Sequence, residues 1–90
     1  MQTISRDTTW ADTSVPYTFD NISVLKAKLT WARGISVRFN ESAYLTISGN
    51  GTLTIAPGVK IQFGKRCFIE VGYGGQGTLI AQGTAWAAGN

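Results

Sequence analysis

The chain contains no histidine, one cysteine and two prolines, and only 14% of its residues are charged. Each shortage removes a class of chemistry. Without histidine there is no serine–histidine or cysteine–histidine catalysis, and the commonest zinc ligand is missing. A lone cysteine, Cys67, excludes an intramolecular disulfide framework and a cysteine-based metal cluster. No cofactor or metal is expected. No apolar run approaches the ~18 residues of a membrane span, and Met1 to Trp10 is too polar for a signal peptide. The 8 basic residues exceed the 5 acidic ones for a net charge of +3. They are scattered, however, without the run that argues for nucleic acid. Neither a membrane nor a nucleic acid is expected as a partner.

Glycine is what the chain has in quantity, 11 in 90 residues. Six positions, GYGGQG (72–77), match G-x-G-x-x-G and come after a strand-like run. A dinucleotide site needs a helix after the last glycine, to bring backbone N–H groups to the pyrophosphate, and an acidic residue about 20 positions on. The next residues are TLIAQGT, apolar, β-prone and broken by Gly83. The glycines need another explanation.

Internal periodicity supplies it. KLTWARGISVRFNESAYLTIS (28–48) aligns without gaps on TLTIAPGVKIQFGKRCFIEVG (52–72), an offset of 24. Leu29, Thr30, Ala32, Gly34 and Phe39 fall on identical residues, and Ile35, Val37, Tyr44, Leu45 and Ile47 on similar ones. A third copy starts at Gly77-Thr-Leu79, now 26 residues after Gly51-Thr-Leu53, with the two extra residues inside GYGGQG. That segment is therefore a lengthened corner between turns of a repeat, with glycine used for positive φ. Apolar residues within a copy alternate in three short blocks (Leu53/Ile55, Val59/Ile61/Phe63, Cys67/Ile69/Val71), the period of strands. Coiling reconciles short strands with a fixed period, each strand stacking on its counterpart one turn below at ~4.8 Å. The fold class expected is all-β, a short right-handed parallel β-helix of about three coils.

Residues 53–64 (LTIAPGVKIQFG), 68–72 (FIEVG) and 77–85 (GTLIAQGTA) resemble the pectin-lyase-like right-handed β-helix repeats of bacterial secreted and surface proteins. The similarity runs from about Trp10 to Ala85. It implies a secreted or cell-surface setting, and polysaccharide as the substrate or ligand class. A single domain is expected: residues 1–14 as an N-terminal cap or arm with Trp10 across the bottom of the core, 15–27 as a partial first coil, 28–51 and 52–77 as full coils, and 78–90 as an incomplete last coil and tail. Ile22 and Val24, 23 positions before Leu45 and Ile47, are expected beneath them.

Polysaccharide lyase or hydrolase chemistry would need clustered carboxylates. The 24-residue spacing brings no two of Asp7, Asp12, Asp20, Glu41 and Glu70 together: Glu41 lies below Lys65 as a cross-coil ion pair, and Glu70 lies above Thr46. A non-enzymatic structural or binding module is the reading preferred, with a carbohydrate-binding or carbohydrate-active β-helix as the alternative. Tyr44 and Phe68 alternate with inward neighbours, so they should project outward and stack as a platform for a sugar ring or a partner chain. Arg38 and Lys60 lie diagonally on the middle face, and Lys65 and Arg66 at a corner; each pair is either a solvated surface or an anion site. Thr30, Thr52, Thr54 and Thr78 form an outer threonine array like those of ice-binding solenoids, interrupted by Lys28 and Ile80, and equally ordinary cross-strand pairs.

Three further expectations concern packing. Cys67 occupies the position of Ala43 and faces inward as a small, poorly reactive hydrophobe. Gly34 and Gly58 hold positive φ at one corner. The last copy supplies only the strand Thr78 to Gln82, so the edges of Val59, Ile61 and Phe63 and of Ile69 and Val71 should be open, with only the tail bearing Trp86 to cover them. A homo-oligomer is the expected consequence, formed by end-to-end stacking or by packing of the aromatic outer face around Tyr44 and Phe68.

Overall fold

Short alternating blocks separated by turn-forming residues fold as strands, and the computed structural model contains twelve of them and no helix among the described residues, 2–72, 75–81 and 86–89. The first rung is β1 (Gln2–Ile4), β2 (Thr8–Trp10) and β3 (Tyr17–Phe19). Above it lie β4 (Ile22–Leu25), β5 (Lys28–Trp31) and β6 (Ser36–Phe39), then β7 (Tyr44–Ile47), β8 (Gly51–Ile55) and β9 (Lys60–Phe63). The last rung is β10 (Phe68–Val71), β11 (Gly77–Ala81) and β12 (Trp86–Gly89). Every third strand pairs in parallel, giving three four-stranded sheets: β1-β4-β7-β10, β2-β5-β8-β11 and β3-β6-β9-β12. From the first to the last strand of each sheet the coil makes three turns. This is a parallel β-solenoid.

Inward side chains are the apolar member of each alternation. Leu29, Trp31, Leu53 and Ile55 from the second sheet, Phe19, Val37, Phe39 and Ile61 from the third, and Leu25, Leu45 and Ile47 from the first are all buried. Like stacks on like. Phe19, Phe39 and Phe63 form an aromatic column with centroids 4.6 and 4.9 Å apart, and Trp10 stacks on Trp31 at 5.9 Å and on Tyr17 at 4.6 Å. Such pairs add about 0.5–1.5 kcal/mol each beyond area burial. The fit has one cost: Trp31 Nε1 is buried without a hydrogen-bond partner among the described residues.

Residues 2–14, expected as a cap or arm, contribute two strands to the coil. Within them β1 pairs with β4 and β2 with β5, so Trp10 lies at the bottom of the core as an inward residue of a strand. The rungs lengthen upward: Phe39 is 20 residues after Phe19 and Trp31 is 21 after Trp10, Leu45 is 22 after Ser23, Leu53 is 24 after Leu29, and Leu79 is 26 after Leu53. The 22-residue step also corrects β4. Ile22 and Val24 lie under Tyr44 and Thr46, while Ser23 and Leu25 point inward under Leu45 and Ile47. A slip of one residue exchanges the two faces of a strand, and burying Leu25 beneath Ile47 decides which is used.

The upper end differs as well. β12 pairs with β9 from Lys60 to Phe63, so the edge carrying Ile61 and Phe63 is covered by the tail, and Val59 lies just before the paired stretch. Four backbone positions suffice because β9 is itself only four residues long. β10, with Ile69 and Val71, has no strand above it among the described residues. Tyr73 and Gly74 of the glycine corner, the end of the expected strand at Gln82, residues 83–85 and the Trp86 side chain lie outside the described residues.

Candidate functional site

Corners set where outward side chains can go. Gly34 and Gly58 hold φ of 84° and 82°, as their shared position requires. In the glycine segment the roles divide. Gly72 has φ 90°, whereas Gly77, like Gly51 below it, is glycine for lack of room. A Cβ on Gly51 would lie 2.5 Å from the carbonyl oxygen of Leu25, and one on Gly77 would strike that of Ile47. Strand β11, not a helix, begins at Gly77, which removes the dinucleotide reading. The third corner uses no glycine at its left-handed position: Ser42 and Arg66 hold φ of 66° and 61°.

All five carboxylates accept hydrogen bonds within the scaffold. Asp7 accepts from the Lys28 N–H at 3.0 Å, Asp20 from the Asn40 side-chain amide, and Glu70 from the Thr46 hydroxyl at 3.3 Å. Glu41 pairs with Arg66 at 2.7 Å, not with Lys65; Arg66 also donates to the Ser42 hydroxyl at 3.2 Å. From its left-handed position the longer guanidinium reaches both residues of the corner below. Both partners of the pair are more than half exposed, which limits its contribution to about 0–1 kcal/mol. Asp12 accepts from both the hydroxyl and the N–H of Ser14, and these bonds hold its carboxyl below the usual range. Four of the five therefore tie one rung to the next, and one closes a turn. Among the described residues no three metal-ligating side chains come together.

Outward aromatics do come together. Tyr44 and Phe68 are in register on β7 and β10 and stack with centroids 4.4 Å apart and planes 12° from parallel. Phe68 is 44% exposed, and Ile22 continues the column below. Glu70 lies two residues beyond Phe68, on the same face of the strand. On the third sheet Lys60 lies over Ser36 and Gln62 over Arg38, so Arg38 and Lys60 are diagonal neighbours. Together with Pro16 they line a groove of about 330 Å³.

The threonine array forms two columns on the second sheet. Thr9, Thr30 and Thr54 run up to Ile80, and Lys28 runs up to Thr52 and Thr78. Thr9 belongs to the array although a fixed spacing of 24 misses it. Cys67 packs against the core but is only half-buried, with Sγ 2.8 Å from the Asn40 carbonyl oxygen and 3.6 Å from that of Phe39. No protein-family model matches the chain, and comparisons with curated proteins and with solved structures gave no match.

Proposed function

We propose that the chain is a non-enzymatic β-solenoid module, structural in its interior and made for binding on its outer faces, of the pectin-lyase-like kind found in bacterial secreted and surface proteins. The observation that carries this reading is the use of the carboxylates. Asp7, Asp20, Glu41 and Glu70 each bond to a neighbouring rung, and Asp12 to its own turn. Acid/base catalysis on a glycosidic bond needs two such groups facing one substrate. A panel of neutral and acidic polysaccharides, followed for new reducing ends and for unsaturated products, is the direct test. No turnover above a protein-free blank is expected. Turnover that disappears in Glu70→Gln would overturn the proposal.

Carbohydrate binding is a second reading, favoured by the Tyr44–Phe68 stack, half-buried at Tyr44 and exposed at Phe68, beside an acceptor carboxylate. Flat aromatic surface offers a sugar ring its apolar face, and Glu70 could accept from a hydroxyl at its edge. The same surface could instead pack against a second copy. A glycan screen on the wild type and on a Tyr44→Ala/Phe68→Ala variant, with sedimentation of both, separates the two. A glycan signal lost in the variant supports sugar binding, whereas a change in sedimentation alone supports self-association.

A further inference from the structure

Positive charge on the third sheet is arranged differently from that at the corner. At the corner Arg66 is engaged by Glu41, the one ion pair among the described residues. Arg38 and Lys60 have no carboxylate within ion-pair distance among the described residues. The acids nearest in sequence to Arg38, Asp20 and Glu41, are held by Asn40 and Arg66. Both cations are exposed and line the same groove. Adjacent parallel strands and a two-residue step along one of them put their Cα atoms roughly 8 Å apart. Ser36 lies under Lys60 and Gln62 over Arg38, so each cation has a neutral hydroxyl or amide donor beside it. A smaller hollow of about 160 Å³ shares Arg38 and Gln62 and continues the depression towards Gly64 and Glu41, the partner of Arg66.

We propose that this groove binds an oxyanion, with the Arg38 guanidinium taking two oxygens as a fork, Lys60 supplying a second positive charge and Gln62 a neutral donor. The charged groups lining the larger groove, Arg38 and Lys60, are both positive, and the one carboxylate in the adjoining hollow, Glu41, is engaged by Arg66. Arginine provides the planar, bidentate geometry that sulfate, phosphate and carboxylate groups all accept. At about 330 Å³ the space is comparable to a small-ligand pocket. The oxyanion is therefore a substituent on a larger ligand whose body lies along the sheet. None of this depends on the Tyr44–Phe68 surface, which is on a different sheet.

The test is an amide NMR titration with sodium sulfate, sodium phosphate and sodium acetate, each against sodium chloride at matched ionic strength. Saturable shifts centred on residues 36–38 and 60–62 are expected for at least one oxyanion. The sulfate and phosphate arms distinguish a tetrahedral preference from the planar preference tested by acetate. Arg38→Gln with Lys60→Gln should weaken binding by at least about tenfold, the loss of one or more charge-assisted hydrogen bonds, whereas Arg38→Lys should retain part of it. Both side chains are exposed, so the melting temperature should hardly change. Shifts that track the chloride control, that centre on Arg66, or that persist in the double variant would each overturn the proposal.

Discussion

Ser42 and Gly58 occupy left-handed backbone positions at different corners, one with a side chain and one without. For an L-residue this conformation costs roughly 1 kcal/mol, and more for a β-branched one. Substitutions at the two sites should therefore have opposite signs. Ser42→Gly is expected to stabilise the fold by a few tenths to about 1 kcal/mol, less whatever its hydroxyl contributes to Arg66. Gly58→Val should destabilise it by more than ~1 kcal/mol, although the nearest atom to a new Cβ there, Arg33 Cγ, is 3.6 Å away. Gly77→Ala should also destabilise, by about 1–3 kcal/mol, because its Cβ would run into the Ile47 carbonyl. Denaturant melts of the three variants check this. A neutral Gly58→Val would mean that the backbone there relaxes out of positive φ.

Strands carry the next level of constraint, and Cys67, just before β10, shows how. Its thiol packs on the core and points at carbonyl oxygens of the rung below, so native labelling by a thiol reagent should be far slower than in denaturant. Labelling at the unfolded rate would place the sulfur outside the coil. Strand identity and most inward faces were legible in the sequence, because period-two alternation survives even in blocks of four. The spacing was only partly legible. A comparison at 24 residues finds the middle turns, but Trp10 under Trp31 and Phe19 under Phe39 stand at 21 and 20. Those aromatic pairs were the available signal for the first rung. Nothing in composition marks Ser42 or Arg66 as left-handed, so the choice of Arg66 over Lys65 as the partner of Glu41 emerges only once the backbone turns. On the outer faces, alternation foretold the Tyr44–Phe68 stack and the diagonal of Arg38 and Lys60, since both depend only on which residues share a face.

At the scale of the molecule, each strand bonds only to the turn above and the turn below. Stability in such a stack is approximately a sum over rungs and the contacts between neighbours. Amide exchange should therefore be slowest in β4 to β9, which have partners on both sides, and faster in β1 to β3, with the buried N–H groups of Leu29, Leu45 and Leu53 among the last to exchange. Uniform exchange across all rungs would point to a single all-or-none unit instead. The corner between β10 and β11 is longer by two residues than the one between β7 and β8, yet Gly77 still lies on Gly51 and Leu79 on Leu53. Extra chain there leaves the ladder undisturbed, and each doubling of a loop costs only about 0.6 kcal/mol in closure entropy. That corner is accordingly a splice point, where a foreign peptide inserted ahead of Gly75 should be displayed from the solenoid while the bond from the Asn50 N–H to the Gln76 carbonyl still ties the corner to the turn beneath.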